Sequence, residues 1–169
     1  MKTILLTLIV LSGSISLVAQ EQDCKCCTDQ HKAFDFWIGK WDVYSEDGKL
    51  LGTNIVNSIQ DHCVIEENWT SKAKTLTGTS FNFYDSTSGQ WKQLWLDNHG
   101  YKLELSGNFE DGSMKLRSET RKNKEGQMVY DLITWTYNMD GTVTQVWTLM
   151  TEKHEVLSTL FTGIYKPSI

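Results

Sequence analysis

From Trp41 onward the chain repeats one unit, a run in which apolar and polar residues alternate followed by a short turn rich in Asp, Asn, Ser and Gly. Alternation with a period of two marks strands whose two faces meet different surroundings, and no stretch carries the 3.6-residue period of a long helix. The turns fall at Asp47-Gly48, 71–74, 86–89, 98–100, Asp111-Gly112, 123–126 and Asp140-Gly141. Asp-Gly and other Gly-containing loops favour the left-handed backbone that tight hairpins need. Between them lie strand candidates at 40–46, 49–61, 63–71, 76–85, 90–98, 101–110, 113–122, 127–139, 142–153 and 155–166. The single proline, Pro167, comes after the last of these, where it interrupts no ladder. Ahead of the strands, residues 31–38 carry Phe34, Phe36, Trp37 and Ile38, an apolar piece of one or two helical turns suited to closing one end of the strand assembly. The pattern therefore predicts an all-β fold, about ten antiparallel strands that close into an up-and-down barrel because closure removes exposed edges. A barrel of about ten strands is wide enough to keep a lumen that side chains do not fill.

The stretch 90–99, Q-W-K-Q-L-W-L-D-N-H, carries the most information about that lumen. On a strand, Trp91, Gln93, Trp95, Asp97 and His99 share one face, with Lys92, Leu94, Leu96 and Asn98 on the other. Turned to water, this face would strand two indoles; packed into an ordinary core, Gln93 and Asp97 would each cost about 1–3 kcal/mol unless partnered. A polar cavity accommodates both residue types. Neighbouring strands repeat the combination: Glu67 aligns with Trp69, Ser80 and Asn82 with Tyr84, and Val143 and Gln145 with Trp147. Indole faces beside amides and carboxylates suit sugars better than fatty acids, because sugar C–H faces stack on aromatics while hydroxyls take directional hydrogen bonds. The competing reading makes the tryptophans a packed core whose polar groups bond one another. Leu94 and Leu96, on the opposite face, need cover that the segment with Phe34 and Trp37 would supply.

The first residues change the cellular picture. Lys2, an apolar run from Ile4 to Ala19 and an abrupt polar turn at Gln20 read as a secretory signal peptide over 1–20, leaving 21–169 as a single barrel domain. The mature protein is expected to be exported, periplasmic or secreted, with no membrane span, since the apolar run is shorter than the ~20 residues a span needs. A net charge of −5 from 16 basic and 21 acidic residues, with no basic block, argues against nucleic acid as a partner. Cys24, Cys26 and Cys27 crowd the mature N-terminus while Cys63 stands alone; in an exported protein Cys63 should pair with one of the three. The alternative is a thiolate metal site of Cys24, Cys26 and Cys27 with His31.

The stretch 34–43, F-D-F-W-I-G-K-W-D-V, resembles the opening of a bacterial family of unknown function in the calycin superfamily of lipocalin-like barrels. Further matching residues are Gly78 through Tyr84-Asp85, the pattern W-x-Q-x-W-x-D at Trp91, Gln93, Trp95 and Asp97, and Gly141 through Val146-Trp147. The resemblance implies a calycin-type barrel with a central cavity and implies no particular activity. A neighbouring calycin group binds haem through a histidine near its C-terminus, and His154 sits at a comparable place. The glycine-rich opening of those proteins is absent, with Asp42 to Tyr44 in its place, and no cofactor is expected.

Hydrolase signatures such as G-x-S-x-G and H-E-x-x-H are also absent. What remains is a set of groups for proton transfer. The expected reaction is β-elimination on a uronic-acid-containing oligosaccharide by a lyase or dehydratase, with His99 as base, Tyr84 as proton donor and Asp97 orienting the imidazole. Trp91 and Trp95 would be the sugar platforms, and Gln93, Asn82, Glu67, Trp69, Gln145 and Trp147 would complete the binding surface. Lys92, Lys102, Lys115 and Arg117 are the cations available to neutralise the substrate carboxylate. Glycoside hydrolysis by Glu67 and Asp97 competes with elimination, and a non-catalytic barrel that captures a small polar or aromatic ligand is the alternative from another class.

Overall fold

A computed structural model describes residues 24–168; the expected signal peptide lies outside the described residues. The alternating segments become β1 (Gly39–Tyr44), β2 (Leu50–Ile59), β3 (Val64–Ser71), β4 (Thr77–Asp85), β5 (Gln90–Asp97), β6 (Lys102–Glu110), β7 (Ser113–Arg117), β8 (Arg121–Lys122), β9 (Met128–Tyr137), β10 (Val143–Thr151) and β11 (Val156–Pro167). Successive strands pair antiparallel, β7 pairs with β9, and β11 returns to β1 with Tyr165 opposite Val43. Ten strands thus close an up-and-down barrel, while the two-residue β8 continues in line with β7 along the same edge of β9. This is the architecture that the calycin resemblance implies. The β6–β7 hairpin shows how turn chemistry sets register. Asp111 and Gly112 adopt φ of 51° and 79°, the doubly left-handed turn of a two-residue loop, and Glu110 lies opposite Ser113.

The segment read as one strand over 113–122 breaks after Arg117. Ser118 grips β9 sideways, its N–H donating to the Asp131 carbonyl at 2.9 Å and its Oγ accepting from the Asp131 N–H at 2.9 Å. The chain then steps off the ladder, and Arg121 sets its guanidinium on the buried Asp131 carboxylate at 2.5 Å.

A short helix, α1 (Asp29–Lys32), capped by Thr28, and a 3-10 turn at Asp35–Trp37 fold across one end of the barrel. Phe34 and Trp37 are fully buried there; Phe34 stacks on Trp37 at 5.0 Å and meets Trp91 and Trp135 edge-on. Trp91 Nε1 donates to the Gln30 carbonyl at 3.0 Å and Trp41 Nε1 to the Trp37 carbonyl at 2.9 Å, so the plug is bonded as well as packed. The plug enters the lumen; it does not cover Leu94 and Leu96, which lie on the outer wall with Leu96 exposed. Disulfides tie the plug down. Cys26 pairs with Cys63, at the end of the β2–β3 turn, and Cys24 with Cys27. All four cysteines are oxidised, so the thiolate site considered for Cys24, Cys26 and Cys27 has no free sulfur. Two disulfides are consistent with an extracytoplasmic protein. Among the described residues no helix is long and apolar enough to cross a membrane.

Candidate functional site

Because the plug fills one end, the lumen opens at the other, where β2, β4, β6 and β11 begin and β3, β5 and β10 finish. Three layers are stacked from plug to mouth. The first is the aromatic plug. The second is a belt of polar side chains pointing inward at mid-barrel: Asn54, Glu67, Ser80, Asn82 and Gln93 are all buried, and Gln145 and Tyr165 join them from the opposite wall. The third is a vestibule of apolar walls, Trp69, Trp95, Trp147 and Phe161 together with Leu76 and Leu160. Belt and vestibule enclose a cavity of about 240 Å³, with Leu103, Ile133 and Trp135 along its side.

Two vestibule indoles owe their positions to glycines. Trp95 lies so close on Gly78 that a Cβ there would sit 2.2 Å from its ring, and the Trp69 ring would be 2.8 Å from a Cβ on Gly52. Trp147 is held differently, its Nε1 donating to Asp131 Oδ1 at 2.9 Å, while Asp131 Oδ2 takes Arg121. Trp69 and Phe161 meet edge-on across the mouth, ring centroids 6.4 Å apart.

In the belt, Asn54 Nδ2 donates to Glu67 Oε1 at 2.8 Å and Ser80 Oγ to Glu67 Oε2 at 2.7 Å. Asn82 Nδ2 donates to Ser80 Oγ at 2.9 Å and to the Ile65 carbonyl at 3.1 Å, and Gln93 Nε2 donates to Asn82 Oδ1 at 2.7 Å. Tyr165 donates its hydroxyl to Gln145 Oε1. Burial raises the Glu67 carboxyl from 4.5 to about 7, against the lowering effect of its bonds from Ser80 and Asn54. Burial, reinforced by Glu67, pushes the Tyr165 phenol well above 10. No Lys, Arg or His lines the cavity among the described residues.

Of the residues singled out in the sequence, Glu67, Trp69, Gln93, Trp95, Gln145 and Trp147 meet at this cavity. Asn82 lies just beneath it, bonded to Gln93, and Trp91 is buried on β5 against the plug. The three residues assigned to elimination, His99, Tyr84 and Asp97, lie elsewhere. β5 ends at Asp97, whose carboxylate accepts the backbone N–H of His99 at 2.9 Å and of Tyr101 at 3.0 Å, and His99 is exposed in that turn. Tyr84 sits at the plug end, edge-on to the His31 ring at 5.1 Å. Since Tyr84 pairs with Trp91 and Gly78 with Asp97, the hydroxyl- and carboxyl-bearing positions are about 20 Å apart along the ladder. His154 is exposed in the β10–β11 turn with Nδ1 2.8 Å from the Tyr130 hydroxyl. Of the cations, Lys102 pairs with Glu104, Lys115 with Asp111, Lys92 bonds Gln90, and Arg117 stacks on Tyr130, all away from the lumen.

The sequence reading missed Asn54, Trp135, Phe161 and Tyr165. Alternation was the available signal: Asn54-x-Val56, Asp131-x-Ile133-x-Trp135 and Phe161-x-Gly163-x-Tyr165 each place their residues on one face. No protein-family model matches the chain, and no curated protein matches it.

Proposed function

We propose that the protein is an exported, lipocalin-like barrel that captures one small ligand in the belt-and-vestibule cavity. The observation that carries this reading is the layering itself: a lumen stopped at one end by a bonded aromatic plug, with hydrogen-bonding groups at its floor and indoles at its mouth. Such a site takes the apolar body of a ligand against Trp69, Trp95 and Trp147 and a polar end against Glu67, Gln93 and Gln145. The two disulfides and the predicted leader support export. The opening motif supports kinship with the calycin-type family of unknown function that it resembles.

Capture is favoured over β-elimination because His99, Tyr84 and Asp97 do not line the cavity, and among the described residues no cation lies there to steady a uronate carboxylate. The volume sets the ligand's size. About 240 Å³ is larger than an apolar cavity of about 150 Å³ that takes benzene, so the guest has on the order of ten heavy atoms.

The test is calorimetric titration with small aromatic compounds against the native protein and Leu160→Trp. Leu160 is 50% exposed at the rim, so an indole there fills the vestibule without disturbing the core. Saturable one-to-one binding that Leu160→Trp abolishes supports capture. Equal binding by both proteins, or none by either, rejects it.

A further inference from the structure

We infer that the ligand's polar end is a cation, a primary ammonium carried on a flat apolar body, held between the Glu67 carboxylate and the indoles of the vestibule. The inference rests on the capture reading and names the chemistry of its guest.

The first support is charge. Among the described residues Glu67 is the one carboxyl lining the cavity, and no Lys, Arg or His lines it. Its neighbours at the belt, Asn54 from β2, Ser80 from β4, Gln93 from β5 and Gln145 from β10, are neutral, and Tyr165 from β11 stays protonated because burial raises its phenol. A buried carboxylate with no countercharge is unstable as an anion, and a guest that brings the missing positive charge gains an interaction that a neutral or anionic guest lacks.

The second support is the wall. Trp69, Trp95 and Trp147 surround the approach to Glu67, and the faces of indoles attract cations through their quadrupoles more strongly than those of other aromatic side chains. An ammonium passing the mouth is therefore favoured before it reaches the acid. The third is hydrogen bonding. Each Glu67 oxygen accepts one protein bond and retains a lone pair, and Gln93, whose Nε2 is engaged by Asn82, offers its carbonyl oxygen. An ammonium has three N–H groups for such acceptors, which distinguishes it from a quaternary cation.

Protonation sharpens the picture. With the free carboxyl titrating about 7, Glu67 is mostly neutral at pH 6, and an arriving ammonium drives it to ionise. Binding at pH 6 should then release close to one proton per ligand, whereas binding at pH 8.5 should release almost none.

The experiment uses three near-isosteres, 2-phenylethylamine, 2-phenylethanol and phenylacetate, titrated calorimetrically into the native protein and Glu67→Gln, with buffers of different ionisation enthalpy to count protons. Far-ultraviolet circular dichroism establishes that the variant is folded. The expected result is that the amine binds the native protein at least about tenfold more tightly than the alcohol, the anion is not bound, and Glu67→Gln brings amine and alcohol level. Equal or tighter binding of the alcohol or the anion overturns the cation while leaving capture standing. An amine preference that persists in Glu67→Gln overturns the role given to Glu67, and amine binding at pH 6 without proton release overturns its ionisation by the guest. Absence of binding by all three compounds overturns both the cation and the capture reading.

Discussion

Replacing Glu67 by glutamine should stabilise the protein, and by an amount that depends on pH. In the fold the carboxyl titrates at about 7; in the open chain its ordinary value is 4.5. Between those values the folded chain holds a proton that the unfolded chain has lost, so folding grows less favourable as pH rises through the window and is level on either side of it. The gap between about 7 and 4.5 corresponds to about 3 kcal/mol, absent below pH 4.5 and fully present as a penalty above pH 7. Glutamine has nearly the same shape, keeps an acceptor for Asn54 and can donate to Ser80 Oγ, so it removes the ionisation without opening a hole. Urea unfolding of both proteins at pH 5 and pH 8 isolates the effect, because every other titrating group is common to the two chains. The difference in unfolding free energy should move in favour of the variant by about 2–3 kcal/mol between the two pH values, or roughly 4–12 °C in melting temperature. A difference that is the same at pH 5 and pH 8 would refute the claim that this carboxyl is desolvated in the lumen.

Other perturbations probe the rest of the frame. A Cβ at Gly107 would lie 2.0 Å from the Lys115 carbonyl oxygen of the neighbouring strand, which cannot swing aside, so Gly107→Ala should cost roughly 1–3 kcal/mol in urea unfolding. A Cβ at Gly78 meets the movable Trp95 ring instead, so Gly78→Ala should cost less stability but weaken ligand binding, read by titration calorimetry. Cys63→Ser unties the plug from the β2–β3 turn and should lower stability by about 2–4 kcal/mol, seen as an earlier urea midpoint. Arg121→Ala leaves the buried Asp131 carboxylate with Ser118 and Trp147 alone, which should lower stability by about 1–3 kcal/mol in the same assay.

How much of the site was legible in the sequence depends on the reach of alternation. It places Glu67, Trp69, Gln93, Trp95, Gln145 and Trp147 in the lumen because each lies inside a strand whose two faces differ sharply in composition. The same rule carries Asp97 and His99 inward only if β5 continues, and the strand stops where the Asp97 carboxylate captures the backbone of the adjoining turn. Tyr84 does share the inward face of β4, but position along the strand matters as much as face, and it lies at the plugged end. Trp135, Phe161 and Tyr165 are harder to read because β-branched and apolar residues occupy both faces of β9 and β11. The entry of Phe34 and Trp37 into the lumen depends on the three-dimensional closure of the ring and on the Cys26–Cys63 link, neither of which leaves a periodic mark.

The central claim, that the indole-walled cavity is where a small molecule is held, is tested most directly by tracking the indole N–H resonances of the seven tryptophans during titration with 2-phenylethylamine. Saturable shifts are expected at Trp69, Trp95 and Trp147, with a smaller one at Trp135 along the side, while Trp37 in the plug and Trp41 bonded to it stay unmoved. Shifts confined to Trp37, Trp41 and Trp91 at the plugged end, or no shift at any indole, would contradict the assignment.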